Sequence, residues 1–203
     1  FAAKQKMKSI DALLLAAARD GLSPLLEVSS KSQTALGVAL SAFNMELAVP
    51  GMGKISVESA FQGSKIFQGH GECKDLYSLD PRAAKRTARE RDQGDLVRFD
   101  FAGESWELEP KSAFYNWLYL RALQESMGGE ILELMRFAGF TDIEFNPQKS
   151  FNCQARSCAL AVSLLRSGRF EEALVSHQDF LDVISGLSVR RPSALSETQA
   201  TLF

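Results

Sequence analysis

Histidine and cysteine are scarce in this chain of 203 residues. The two histidines, His70 and His177, lie far apart, and the three cysteines, Cys73, Cys153 and Cys158, include no CxxC pair. Those counts argue against a zinc site of the usual Cys/His kind and against a disulfide scaffold, and they fit a reducing compartment. Long hydrophobic runs are missing as well. The longest, Ala12 to Ala18, has seven residues, far short of the ~20 that span a bilayer. Neither sign of charge dominates: 23 Lys and Arg against 25 Asp and Glu leave a net charge of −2. Wholesale electrostatic coating of nucleic acid is therefore not expected, though local basic patches are allowed. Residues 1–8 lack the small-residue cleavage pattern of a signal peptide, and the expected location is cytoplasmic. The chain has no Walker motif, no glycine-rich dinucleotide fingerprint, no nucleophile elbow and no internal repeat. That leaves no sign of a cofactor or metal.

What is present is ordinary globular material, 45% hydrophobic and 24% charged, in a chain long enough to bury a real core. Alanine and leucine make residues 4–19 a helix that Asp20-Gly21 stops. Leu25 to Ser29 reads as a short strand, and residues 30–56 as strand–loop–strand. A helix is expected over Val57 to Phe67. Another follows the Asp80-Pro81 cap to about Gln93, and Leu96–Phe101 with Trp106–Leu108 form a hairpin. Further helices are expected from Pro110 to Ser126, Glu130 to Ala138, 149–167 and 170–184, with a short strand at Thr141–Phe145 and a loose tail from Gly186. The sum is a mostly helical α+β domain over residues 25–185, preceded by a helical extension (1–24) and followed by a tail (186–203).

Three segments carry chemistry. On one continuous helix, Glu58, Gln62 and Lys65 share a face amid apolar neighbours. Such a stripe is either a solvated face with a Glu–Lys pair or an acid–base site with a lysine nucleophile. Arg82, Lys85, Arg86 and Arg89 line one face of the next helix, suited to pyrophosphate or a nucleic acid backbone, or simply solvated. Glu144, Asn146, Asn152 and Gln154 cluster with Phe145 and Phe151, either as a loop that reads polar ligand edges or as helix caps. Lys111, Tyr115 and Trp117 on the long helix, and Trp106 before it, are core or stacking surface.

At these residues the sequence resembles the NADAR family. Ser56-Val57-Glu58 followed by Gln62 and Lys65 matches its Ser-x-Glu-x-x-x-Gln-x-x-Lys pattern, and Pro81-Arg82-Ala83-Ala84-Lys85 its Pro-x-x-Ala-Lys helix. Trp106 followed by Lys111 matches its tryptophan–lysine at the head of a long helix. Ser41-Ala42-Phe43-Asn44 looks like its Ser-Asn-Phe loop with the order altered. The resemblance covers residues 25–168. Where many members carry a tryptophan-glycine motif, this chain has Ile143-Glu144-Phe145-Asn146-Pro147 and then Asn152-Cys153-Gln154. That wording is similar to the branch found beside DarT-type toxins.

The resemblance implies a NADAR-like single domain with a few short strands. It further implies an ADP-ribosyl glycohydrolase that removes the ADP-ribose such toxins attach to guanine in DNA, and so acts as an antitoxin. The alternatives are an N-glycosidase acting on a free nucleotide or flavin-pathway intermediate, and a non-catalytic ADP-ribose-binding antitoxin. Glu58 is the expected proton handler, with Lys65 as an alternative Schiff-base nucleophile. Arg82 and Lys85 would hold pyrophosphate. Asn44, Asn152 and Gln154 would read ribose or guanine edges, and Phe43 or Tyr115 would stack a base. Gln62, Lys111, Glu144 and Asn146 complete the expected binding set. The implied partners are guanine-linked ADP-ribosylated DNA, ADP-ribose as product and a DarT-type toxin.

Overall fold

A computed structural model describes residues 2–69, 71, 73–91, 94–148 and 150–189. The expected end of a helix at Gln93 and the tail beyond 189 lie outside the described residues. Helix α1, Ala2–Arg19, stops where foreseen. Gly21 takes φ +78°, the Leu22 N–H returns to the Ala17 carbonyl at 2.8 Å, and the helix end is satisfied. Strand β1 (Leu25–Glu27) leads to a short helix α2, Ala35–Ala39, capped by the Thr34 hydroxyl. That helix stands where only strand and loop were expected. The hairpin β2 (Glu46–Val49) and β3 (Gly53–Ser56) feeds directly into α3, Val57–Gly63. Strand β4 (Lys65–Phe67), a 3-10 turn (Lys74–Ser78) and α4 (Pro81–Arg91) follow. The hairpin β5 (Leu96–Phe101) and β6 (Glu104–Trp106) precedes α5, Ala113–Met127. The chain closes through a 3-10 segment (Gly128–Arg136), β7 (Gly139–Thr141), α6 (Gln154–Arg166), α7 (Phe170–Ala173) and α8 (His177–Val189). Among the described residues, none of these helices is long and apolar enough to cross a membrane.

The described strands form three small sheets: β1 beside β7, β2 with β3, and β4–β5–β6. The β1–β7 pair is parallel and joins residues 25–27 to residues 139–141. It is closed by Glu27, whose buried carboxylate accepts from the Ser29 and Thr141 hydroxyls and the Ile143 N–H. The core gathers on α5, where Phe114, Tyr115, Trp117, Leu118, Tyr119 and Leu120 are all buried. A helix apolar on every side belongs in the interior. Here α3, β2, α6 and α8 surround it.

Several expected boundaries move. The helix foreseen over 57–67 ends at Gly63. A Cβ there would lie 2.5 Å from two carbons of the Tyr77 ring. Ser64 turns back onto the Ala60 carbonyl and meets the Tyr77 hydroxyl at 3.1 Å. The chain then straightens to pair Lys65 with Phe99 and Ile66 with Arg98, so tertiary pairing overrides helical propensity. Helix α5 starts at Ala113 rather than at Pro110, whose carbonyl instead closes a turn onto the Ala113 N–H. The α-helix foreseen from Glu130 to Ala138 is instead a 3-10 segment that starts at the Gly128-Gly129 pair and ends at Arg136. Helix α6 starts at Gln154 rather than 149. Asn146 and Ser150 use their side chains on the N–H groups of Gln148 and Asn152, which favours turns over helix. The helix foreseen over 170–184 splits because Ser176 caps a new one, accepting from the Asp179 N–H at 3.1 Å.

The tight approach at Gly63 gives a stability test. Gly63→Ala forces a methyl into the Tyr77 ring and should cost about 1–3 kcal/mol, read as a lowered urea midpoint. An unchanged midpoint contradicts the packing account of the α3 stop.

Candidate functional site

Ser56 opens α3 by accepting from the Ser59 N–H at 3.1 Å, which leaves the first turn to carry Glu58. The free N–H groups of that turn are met by the loop before β2. Val57 donates to the Met45 carbonyl at 3.0 Å and Glu58 to the Ala42 carbonyl at 2.9 Å. The helix start and the 41–45 loop are thus one unit. The Glu58 side chain is 6% exposed, and burial of a carboxylate demands partners. Its Oε1 accepts from Gln62 Nε2 at 2.8 Å and pairs with Lys85 Nζ at 3.3 Å. The same Lys85 ammonium lies 5.1 Å from the centroid of the Phe43 ring. Tyr115, buried on α5, completes the patch. Burial first, then the charges of Glu58 and Asp142, push its hydroxyl well above the ordinary tyrosine range.

Gln154 joins this patch from α6. Its Oε1 accepts from the Ala42 N–H at 2.6 Å, and its Nε2 donates to Asp142 Oδ2 at 3.1 Å. One amide therefore ties the 41–45 loop to the segment after β7. Burial pushes the Asp142 carboxyl above its usual range, opposed by the hydrogen bond from Gln154. Burial likewise raises the neighbouring Cys153 thiol. Asp142 was not singled out from sequence. Its signal was a lone acid set between Phe140 and Ile143 at the end of a strand.

The fold brings together Phe43, Glu58, Gln62, Lys85, Tyr115 and Gln154. Lys65 is not on the helix face that the spacing predicted. It opens β4, and its ammonium sits 5.1 Å from the Phe61 centroid, with that ring edge-on to Tyr115. The cation on the Glu58 carboxylate is Lys85, one helix further along the chain. Glu144 is engaged with Lys6 of α1 and the Ser30 hydroxyl. The Asn146 carboxamide oxygen caps the Gln148 N–H, and Asn44 donates to the Val38 carbonyl at 2.7 Å. Lys111 is exposed and covers the ring of Phe151 at 4.5 Å, beside the half-buried Asn152. Arg82 is exposed in the first turn of α4.

A cleft of about 680 Å³ runs between the β2–β3 hairpin and the start of α4. Phe43, Ile55, Ser56, Tyr77 and Pro81 line it, with Lys54 and Lys74 among the charged groups. Glu58 does not line this cleft. Phe43, under the Lys85 ammonium, is the wall shared with the Glu58 patch. The volume is that of a small-molecule site.

A family model described as the DarT1-associated NADAR antitoxin matches residues 1–194. That span is wider than residues 25–168 and takes in α1 and α8. No individually curated protein matches the chain.

The Glu58–Lys85 pair is open to a double-mutant cycle. Glu58→Gln and Lys85→Met, alone and combined, should show a coupling of about 0.5–3 kcal/mol in urea unfolding. Strictly additive losses mean that the pair contributes no interaction of its own.

Proposed function

This chain belongs to the family of DarT1-associated NADAR antitoxins, and from that premise we propose that it is an ADP-ribosyl glycohydrolase that clears ADP-ribose from guanine bases of DNA. The observation that carries the reading is the buried Glu58 carboxylate, held by Gln62 and Lys85 beside a cleft of nucleotide size. A module that only recognises a polyanion gains nothing from a buried carboxylate among its cations. A site that breaks a glycosidic bond has a use for it.

The bond to be broken joins ribose C1 to the exocyclic amine of guanine. Its electron pair leaves with the guanine nitrogen, and positive charge builds at C1. Water adds its oxygen to C1, and the water's proton ends on the leaving amine. In this reading Glu58 takes that proton and returns it to the amine, while its negative charge faces the cationic carbon. Gln62 and Lys85 hold the carboxylate in place. Because Lys85 is engaged there, Arg82 is the cation of the pair left for the pyrophosphate. Tyr115 and Phe43 give the base its apolar wall. A second route uses Lys65, one aromatic ring away from Tyr115 through Phe61. Its amine would add to the C1 imine of ring-opened ribose, guanine would leave, and water would release ADP-ribose from the Schiff base.

The test is a mass-resolved assay on an oligonucleotide carrying one ADP-ribosylated guanine, with a thymine-linked oligonucleotide as control. The native chain should release intact ADP-ribose from guanine, and Glu58→Gln should be slower by about 10²–10⁴. Full activity of Glu58→Gln contradicts the site. Borohydride separates the routes. A trapped enzyme–ribose adduct that Lys65→Ala abolishes marks the lysine path, and turnover without any adduct marks the water path.

A further inference from the structure

Helix α4 buries Ala84 and Ala88 against Leu76. At 100° per residue Arg82, Arg86 and Arg89 fall on one face, and Ala84 lies roughly 200° round from Arg82. All three arginines are exposed. Among the described residues none of them makes an ion pair, whereas Lys85 is held by Glu58 and Arg91 by Asp75. Like charges at this spacing repel by about 0.2–0.5 kcal/mol per pair. The row stands in a chain whose net charge is −2, on a helix whose buried residues are two alanines. The N-terminal end of the helix, at Pro81, lines the cleft. The arginine row therefore starts at the cleft, passes Lys85 where that residue meets Glu58, and continues beyond both to Arg89. From Arg82 to Arg89 it extends about 10 Å at 1.5 Å per residue, the reach of two to three phosphates on one strand.

We infer that this face of α4 seats the single DNA strand that flanks the modified guanine, with Arg86 and Arg89 on strand phosphates and Arg82, nearer the cleft, on the ADP-ribose. The inference rests on the glycohydrolase reading for its substrate. The strand explains what the cleft alone does not: why cations continue beyond the span of one pyrophosphate. It also lets a mildly acidic protein hold DNA locally, with binding that weakens as salt rises.

Two double variants test it, Arg86→Ala with Arg89→Ala, and Arg86→Lys with Arg89→Lys. The binding probe is a short, unmodified, fluorescein-labelled single strand, titrated between about 50 and 200 mM salt. The alanine pair should flatten the slope of log K against log salt by about 1.4, at about 0.7 per lost phosphate contact, and weaken binding about tenfold. The lysine pair should keep the native slope, because ammonium neutralises phosphate as well. In turnover, the alanine pair should lose kcat/KM on the ADP-ribosylated oligonucleotide and match the native chain on ADP-ribosylated guanosine. An unchanged slope in the alanine pair overturns the inference, as does an equal loss in the lysine pair or an equal loss on guanosine. If the native chain cleaves neither substrate, the glycohydrolase reading fails, and the salt slope alone still upholds or overturns the strand seat.

Discussion

A carboxylate shut away from water must find its partners inside the protein, and much of this fold is arranged around that requirement at Glu58. The first turn of α3 needs acceptors for its N–H groups, and the 41–45 loop supplies them at Met45 and Ala42. That loop is in turn held by the Gln154 amide, which Asp142 orients from its other end. Lys85 must reach Glu58 from α4, and it does so across the Phe43 ring carried by the same loop. Loop 41–45, α3, α4 and α6 are thus linked by one chain of polar contacts that starts at the buried acid and runs above the shared apolar core. Displacing any of them leaves a polar group without its partner, at about 1–3 kcal/mol for each such group.

The early end of α3 is the second constraint. Gly63 admits the Tyr77 ring, and Ser64 turns the chain where one more helical turn would otherwise continue. The turn launches β4 onto β5, and the β4–β5–β6 sheet then presents Phe99 and Phe101 to Phe114 of the central helix. This aromatic packing backs Phe61 and Tyr115, so the wall beside the Glu58 patch is closely packed. Lys65 is displaced from the Glu58 face by this same turn, and Lys85 takes the position at the carboxylate.

Much of the fold was legible because its signals are local. The Gly21 stop and the Asp80-Pro81 start are readable from neighbours in sequence, and the structure has both. The hairpin after Leu96 is there too, but its returning strand is Glu104–Trp106 rather than Trp106–Leu108, because Phe101 already pairs with Glu104 across a tighter turn. The short helix α2 and the restart at Ser176 were missed, although Thr34 and Ser176 are cap residues of the ordinary kind. The family was legible too, because its motif is an ordered set of residue types that survives a wrong helix boundary. The candidate site was legible in part. Glu58, Gln62, Lys85, Tyr115 and Gln154 do converge, while Asn146 and Asn44 spend their side chains on nearby backbone and Glu144 spends its own on Lys6 and Ser30, far off in sequence.

The sequence by itself determined which residue types are at hand: an acid in a helix's first turn, a row of cations on the next helix, amides before a later one. Helical period and cap chemistry act over a few residues, so they can be read directly. Only the tertiary structure decided which cation meets Glu58, and that Asp142 and Gln154 secure the loop beneath it. The reason is that α3 stops where the Tyr77 ring, fourteen residues further along, occupies the space of a Cβ. No local pattern records a steric contact between segments that meet only once the chain has folded back.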